Sequence, residues 1–222
     1  MPLLKNIGTL VTPPPPTADA DATDLQRIED AALAWSDGTI TWIGPAADVP
    51  RDYRTAPTHD AEEALVLPGL VDCHTHLAFA GWRADEFAMR LEGRRYQDIA
   101  ADGGGILETV RRTRTASEEA LYDRSRSFLR AMARLGVTTV EAKSGYGLTV
   151  DDELKQLRVY RRLQENHPLG IVPTLLGAHA VPPEYENNRA DYLELLHVEL
   201  LPQVGRQGLA EFCDVFVEAG AF

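Results

Sequence analysis

Leu67-Pro68-Gly69-Leu70-Val71-Asp72-Cys73-His74-Thr75-His76 decides how the chain is read. With Ala64-Leu65-Val66 before it, this is an apolar run of strand length that predicts a buried strand. It delivers two histidines at its end. Strand side chains alternate faces, so His74 and His76 point one way and Cys73 the other. Two imidazoles on one face can hold one metal ion, and Zn²⁺ and other borderline divalent ions favour such nitrogen ligands. A His-x-His pair is also compatible with one packed and one solvated histidine. Its place at the C-terminal end of a strand, where α/β enzymes build their sites, favours the metal.

Downstream, two periodicities alternate. Leu121, Phe128, Leu129, Met132 and Leu135 keep helical spacing behind a capping box of Thr115 and Glu118. Gly136 stops that helix, and Val137 to Glu141 is a β-branched strand. A second helix starts near Thr149, sets Leu154, Leu157, Tyr160 and Leu163 on one face, and ends before Pro168. A strand over Gly170 to Leu176, a helix over about 190–201 and a strand over Cys213 to Glu218 follow. Such alternation implies parallel βα units, either in a doubly wound open sheet or in part of a (β/α)₈ barrel.

Upstream, residues 1–66 read as a small β domain. Short apolar runs are separated by turn signals, and Ser36-Asp37-Gly38 between two candidate strands marks a hairpin. Pro13 to Pro16 predicts a stiff extended stretch, and Thr17 to Ile28 an exposed acidic loop.

The 222 residues carry 22 Lys and Arg against 34 Asp and Glu, a net charge of −12 with a pI of about 4.9. That balance argues against nucleic acid as a partner, because phosphate binding needs clustered cations. No apolar run reaches the ~18 residues of a membrane-spanning helix, so no membrane partner is expected. The N-terminal stretch lacks the features of a secretory signal. Cys73 and Cys213 cannot build a disulfide framework, so a reducing, cytoplasmic setting is expected.

Leu67 to His76 resembles the first barrel strand of the metal-dependent amidohydrolase superfamily, with its P-G-hydrophobic-hydrophobic-D-x-H-x-H pattern. Asp37 to Ile40 and Trp42 to Gly44 resemble the small β-sandwich of that superfamily. Phe79 to Phe87, Gly103 to Ile106, Thr109 to Thr113, Glu141 to Leu148 and Leu176 to Ala180 narrow the likeness to the imidazolonepropionase family. The resemblance implies an α/β fold: a small β-sandwich segment over 1–66, then the N-terminal part of a (β/α)₈ TIM barrel, about four βα units, over 67–222. It implies one Zn or Fe ion held by His74 and His76. It also implies a small-molecule substrate, 4-imidazolone-5-propanoate, hydrolysed at its ring amide C–N bond to N-formimidoyl-L-glutamate. Arg83 matches an arginine that binds the propanoate carboxylate through its two parallel donors. Tyr146 matches a substrate-binding tyrosine, with Gly145 and Gly147 letting its loop bend close to a ligand. His179 matches a histidine that contacts the imidazolone ring.

Other features carry less. Lys143 is not assigned a metal role. Gly103-Gly104-Gly105 lacks a following Gly-Lys-Ser/Thr and reads as a loop near the site mouth, not a phosphate cradle. Glu141 and Glu218 can face the barrel lumen but are not expected to be catalysts. His59, His167 and His197 show no partner pattern, and Arg111, Arg112 and Arg114 read as a solvated face.

The family pattern also needs a histidine after a fifth strand, a glutamate shortly after it, and an aspartate after an eighth strand. None has a counterpart here, so no catalytic residue is assignable. Setting aside residues 1–66 leaves 156 residues, against about 250 in a whole barrel. The chain alone is expected to be inactive. The competing expectations are another cyclic amidohydrolase or a deaminase of the same superfamily, and a non-catalytic metal-binding or oligomerisation module. A homodimer is a common arrangement for such soluble enzymes.

Overall fold

A computed structural model describes residues 1–14, 25–95, 98–99, 102–218 and 222. They divide into two compact units, Met1–Pro68 and Gly69–Phe222.

The first unit is one mixed sheet among the described residues. It comprises β1 (Leu3–Thr12), β2 (Gln26–Ser36), β3 (Thr39–Pro45), β4 (Thr58–Asp60) and β5 (Leu65–Val66). The order is β3-β2-β1-β4, with β5 also on β1. β2 and β3 form the expected hairpin, pairing Ser36 with Thr39. Asp37 and Gly38 have φ of 50° and 77°. Positive φ at both central positions is the turn whose twist matches paired strands, and Asp-Gly supplies it cheaply. Ile7, Leu10 and Ala31 are buried against this sheet. Pro15, Pro16 and residues 17–24 of the expected loop lie outside the described residues. Gln26 to Ile28 belong to β2 instead, where Ile28 pairs with Leu10: ladder hydrogen bonds outweigh the polar character of the segment.

The second unit is a curled parallel sheet with helices packed on it. Its strands are β6 (Leu70–Thr75), β7 (Val137–Lys143), β8 (Gly170–Ala178) and β9 (Phe212–Val215). They are parallel and neighbour one another in chain order. A doubly wound sheet reverses its order at a switch point; this one does not, and it is half of a barrel. The helices are α1 (Ala84–Leu91), α2 (Ile106–Thr115), α3 (Glu118–Arg134), α4 (Val150–Asn166), α5 (Arg189–Glu194) and α6 (Leu201–Gln207). A π-helical stretch, Leu195–Leu200, joins the last two. Leu129, Leu157, Tyr160 and Leu163 are fully buried in the core between helices and sheet. Each buried leucine contributes about 1.5–3 kcal/mol over an exposed one. Among the described residues no helix is long and apolar enough to cross a membrane.

Three local expectations are corrected. Ser117, not Thr115, caps α3, its hydroxyl accepting from the Ala120 N–H at 3.1 Å. Thr115 instead ends α2 and donates to the Arg111 and Arg112 carbonyls. The Ala64–Asp72 run is two strands rather than one, broken at Leu67-Pro68-Gly69, since proline cannot donate to a ladder. β6 is also exposed, with Leu70 at 52% and Val71 at 65%, because only β7 flanks it.

Candidate active site

The site lies where the parallel strands end. His74 is the exposed penultimate residue of β6, and half-buried His76 directly follows the strand. Their ring centroids are 5.6 Å apart. The Thr75 hydroxyl, between them, donates to the Glu141 carbonyl at 2.6 Å and pins the strand end to β7. The β7–α4 loop brings the Tyr146 ring to 4.8 Å from His76, and the β8 end brings His179 to 6.5 Å from both. Gly145 makes that approach possible. Its φ is 113°, and a Cβ there would meet the Leu176 carbonyl at 2.8 Å and the His179 ring at 2.9 Å.

Arg83 caps α1 and lines a cavity of about 370 Å³ with His76, Phe79, Trp82, Phe87 and Tyr146. Its Nη1 lies 3.5 Å from Glu86 Oε2, and the other Glu86 oxygen accepts from the Gly105 N–H at 2.8 Å. The triple-glycine loop is thereby tied to the residue beside the cavity. The structure thus gathers His76, Arg83 and Tyr146 on one cavity. His74 and His179 approach His76 without lining it.

Electrostatics favour neutral imidazoles. Burial lowers the His76 pKa from 6.5 to about 4, helped by neighbouring His179 and His74. Burial likewise lowers that of His179. His76 Nδ1 and both ring nitrogens of His179 are buried and lack a hydrogen-bond partner among the described residues. Buried polar atoms are normally satisfied, so these are the atoms a ligand would engage. His74 and His76, two imidazoles two residues apart at a strand end, fit one half of a metal site. No group of three or more His, Cys, Asp or Glu able to hold an ion occurs among the described residues.

α4 supplies positioning groups that sequence reasoning misses. Glu153, fully buried, accepts from the N–H groups of Gly145 at 2.9 Å, Gly147 at 2.8 Å and Leu148 at 2.8 Å. It thereby clamps the loop on both sides of Tyr146. Burial raises its pKa against those hydrogen bonds. Gln156 accepts from the Tyr146 N–H and donates to the Ala78 carbonyl. The Tyr160 hydroxyl donates to the Lys143 carbonyl at 2.8 Å and accepts from the Ala78 N–H. The helix starts at Thr149 as the sequence predicts, and the Thr149 side chain caps it. The only available signal for Glu153 is an acid in the first helical turn, which normally reads as a dipole-complementing surface charge.

Arg114 departs from the solvated face expected of it. It is 19% exposed, and its Nε donates to the Gly147 carbonyl at 2.6 Å. Lys143 is buried, with its ammonium 2.6 Å from Glu141 and 2.9 Å from Asp214. Burial would lower its pKa, but the two carboxylates outweigh that and raise it. Glu141 is thus occupied by Lys143 and by the Thr174 hydroxyl, and Glu218 is exposed.

No family model matches the chain. Solved structures do. E. coli guanine deaminase superposes with a TM-score of 0.57 at 17% identity, covering 96% of this chain and 46% of its own. Guanine deaminase from C. acetobutylicum, with bound guanine in its active site, gives 0.57 at 16% over 97% and 46%. Atrazine chlorohydrolase TrzN from Arthrobacter aurescens TC1, complexed with zinc, gives 0.53 at 15% over 96% and 46%. The fold is therefore shared with the corresponding portion of these structures, a sheet unit and half a barrel.

Sequence relatives are more specific. The chain is 50% identical to imidazolonepropionase of Cupriavidus taiwanensis over 202 residues, 91% of this chain and 48% of the relative. It is 54% identical to that of Symbiobacterium thermophilum over 203 residues, 90% and 48%. The Xanthomonas campestris pv. campestris protein gives 50% over 206 residues, 93% and 51%. The chain is a homologue of the imidazolonepropionases and spans about half the length of the curated relatives it matches.

Proposed function

We propose that the protein bearing this chain is a metal-dependent hydrolase that opens the ring amide C–N bond of 4-imidazolone-5-propanoate, adding water to give N-formimidoyl-L-glutamate. One observation carries the reading: in a chain half-identical to imidazolonepropionases, Arg83, Tyr146 and His76 converge on one cavity. In this reading residues 1–66 are the small β domain and 67–222 the first half of the barrel.

His74 and His76 would hold one side of a divalent ion, the remaining ligands coming from outside this chain. When bound, the ion supplies Lewis acidity at the scissile amide carbonyl. Burial keeps His76 uncharged at neutral pH and so available as a donor. Arg83 takes the propanoate carboxylate as a fork, releasing part of its long contact with Glu86. Tyr146, clamped by Glu153, orients the ring, and the unpartnered nitrogens of His179 hydrogen-bond it. Phe79 and Trp82 wall the cavity against water.

The test is turnover of 4-imidazolone-5-propanoate by the metal-loaded full-length protein, with metal analysis to separate Zn from Fe. Expected results are formation of N-formimidoyl-glutamate, loss of bound metal in His76→Ala, and no turnover by the 222-residue chain alone. A metal-loaded wild type that leaves the substrate intact overturns the reading.

A further inference from the structure

A guanidinium stands behind the aromatic wall of the cavity. Arg124, on α3, places its Cζ 4.6 Å from the Phe79 ring centroid, 4.9 Å from Trp82 and 5.6 Å from Phe128. The rings brace one another: Phe79 stacks on Phe128 at 5.8 Å, and Trp82 meets each edge-on at 5.6 Å. Phe79 and Trp82 line the cavity; Arg124 does not.

The Nε and Nη2 groups of Arg124 are buried and have no hydrogen-bond partner among the described residues. No carboxylate there pairs with it. Neighbouring Asp123 is taken by Arg126, and Glu86 by Arg83. An arginine kept only for structure normally spends its fork on carboxylates or carbonyls. One set over ring faces with no carboxylate beside it remains a standing positive charge. Rings screen that charge far less than water does, and two of these rings face the same cavity as Arg83.

We propose that Arg124 is a specificity-determining positioning residue. Through Phe79 and Trp82 it fixes the cavity wall and biases it toward an anionic substrate, a small nitrogen heterocycle with a short carboxylate chain. It touches no substrate itself. The proposal deepens the substrate reading above and rests on Arg83 as the carboxylate anchor.

The test compares calorimetric binding of imidazole-4-propanoate and its neutral methyl ester to the full-length, metal-loaded protein. Wild type should prefer the acid. Arg124→Met fills the cage with a side chain that packs well on rings and removes a partly buried charge. It should weaken acid binding about tenfold, the scale of one poorly screened charge at short range, leave ester binding unchanged, and keep or raise Tm. Arg124→Lys should retain most of the preference, and Arg124→Gln supplies the same ratio if the methionine variant does not fold. An undiminished preference in Arg124→Met, equal losses for acid and ester, or no preference in wild type overturns the proposal. Arg124-dependent preference for the acid in a protein that does not hydrolyse imidazolone propanoate would defeat the proposed reaction and leave this inference standing.

Discussion

β8 and β6 are both apolar strands of one sheet, yet they live in different surroundings. Leu175 and Leu176 in β8 are almost wholly buried, with neighbours on both sides and helices packed over them. Leu70 and Val71 in β6 are more than half exposed, with β7 as their one neighbour. Only the segment that follows β6 escapes this, where Leu77 and Ala78 become buried and Ala78 bonds to α4. Apolar composition therefore sets what a strand can bury, and its neighbours set what it does bury. The candidate ligands lie at the junction, His74 on the exposed body and His76 on the covered end.

Substitutions can break this contrast, and the largest effect belongs to the interior. Leu157→Ala in the core should cost about 2–5 kcal/mol in urea denaturation. Next is His76 in the metal-free chain. Its imidazole stays neutral in the fold down to about pH 4 but ionises near 6.5 when unfolded. Stability should be complete above pH 6.5 and fall by about 3 kcal/mol as the pH drops toward 4. His76→Asn should flatten that profile, and an unchanged slope would show that the strand end is not covered as described. Glu153→Gln can keep an oxygen for the Gly147 and Leu148 N–H groups but sets its amide hydrogens against the Gly145 N–H, and should cost about 2 kcal/mol, with Tyr146 mispositioned and substrate binding weakened in the full-length protein. Gly38→Ala forces a Cβ into a left-handed turn and should cost about 1 kcal/mol. Leu70→Ala, on the exposed body of β6, should shift stability by less than about 0.5 kcal/mol. A cost matching that of Leu157→Ala would erase the distinction between this exposed body and the core.

What the sequence reveals follows the range of the interaction. The Asp37-Gly38 turn, the helix start at Thr149 and the Leu154-Leu157-Tyr160-Leu163 stripe are local patterns, and all three form as expected. Parallel strands are legible from alternation, but only their unreversed order separates a half-barrel from an open sheet. α1 and α2 are hidden because glycines and arginines mask their periodicity. The ring cluster of His74, His76, Tyr146 and His179 was reachable only through motif resemblance, since it joins three strand ends. Glu153 and Arg114 illustrate the remaining gap. Both look like surface charges until the buried loop amides and carbonyl they serve are in place.

The three polar groups of α4 have one further consequence. Glu153, Gln156 and Tyr160 are spaced three and four apart, so they share a helical face and reach two strand-end loops together. One residue inserted between Thr149 and Glu153 would turn that face by about 100° and unhook both loops in a single step. The helix thus acts as a phase reference for the site: an exchange along it disturbs the contacts of one side chain, whereas a change in its length before Glu153 disturbs all of them at once.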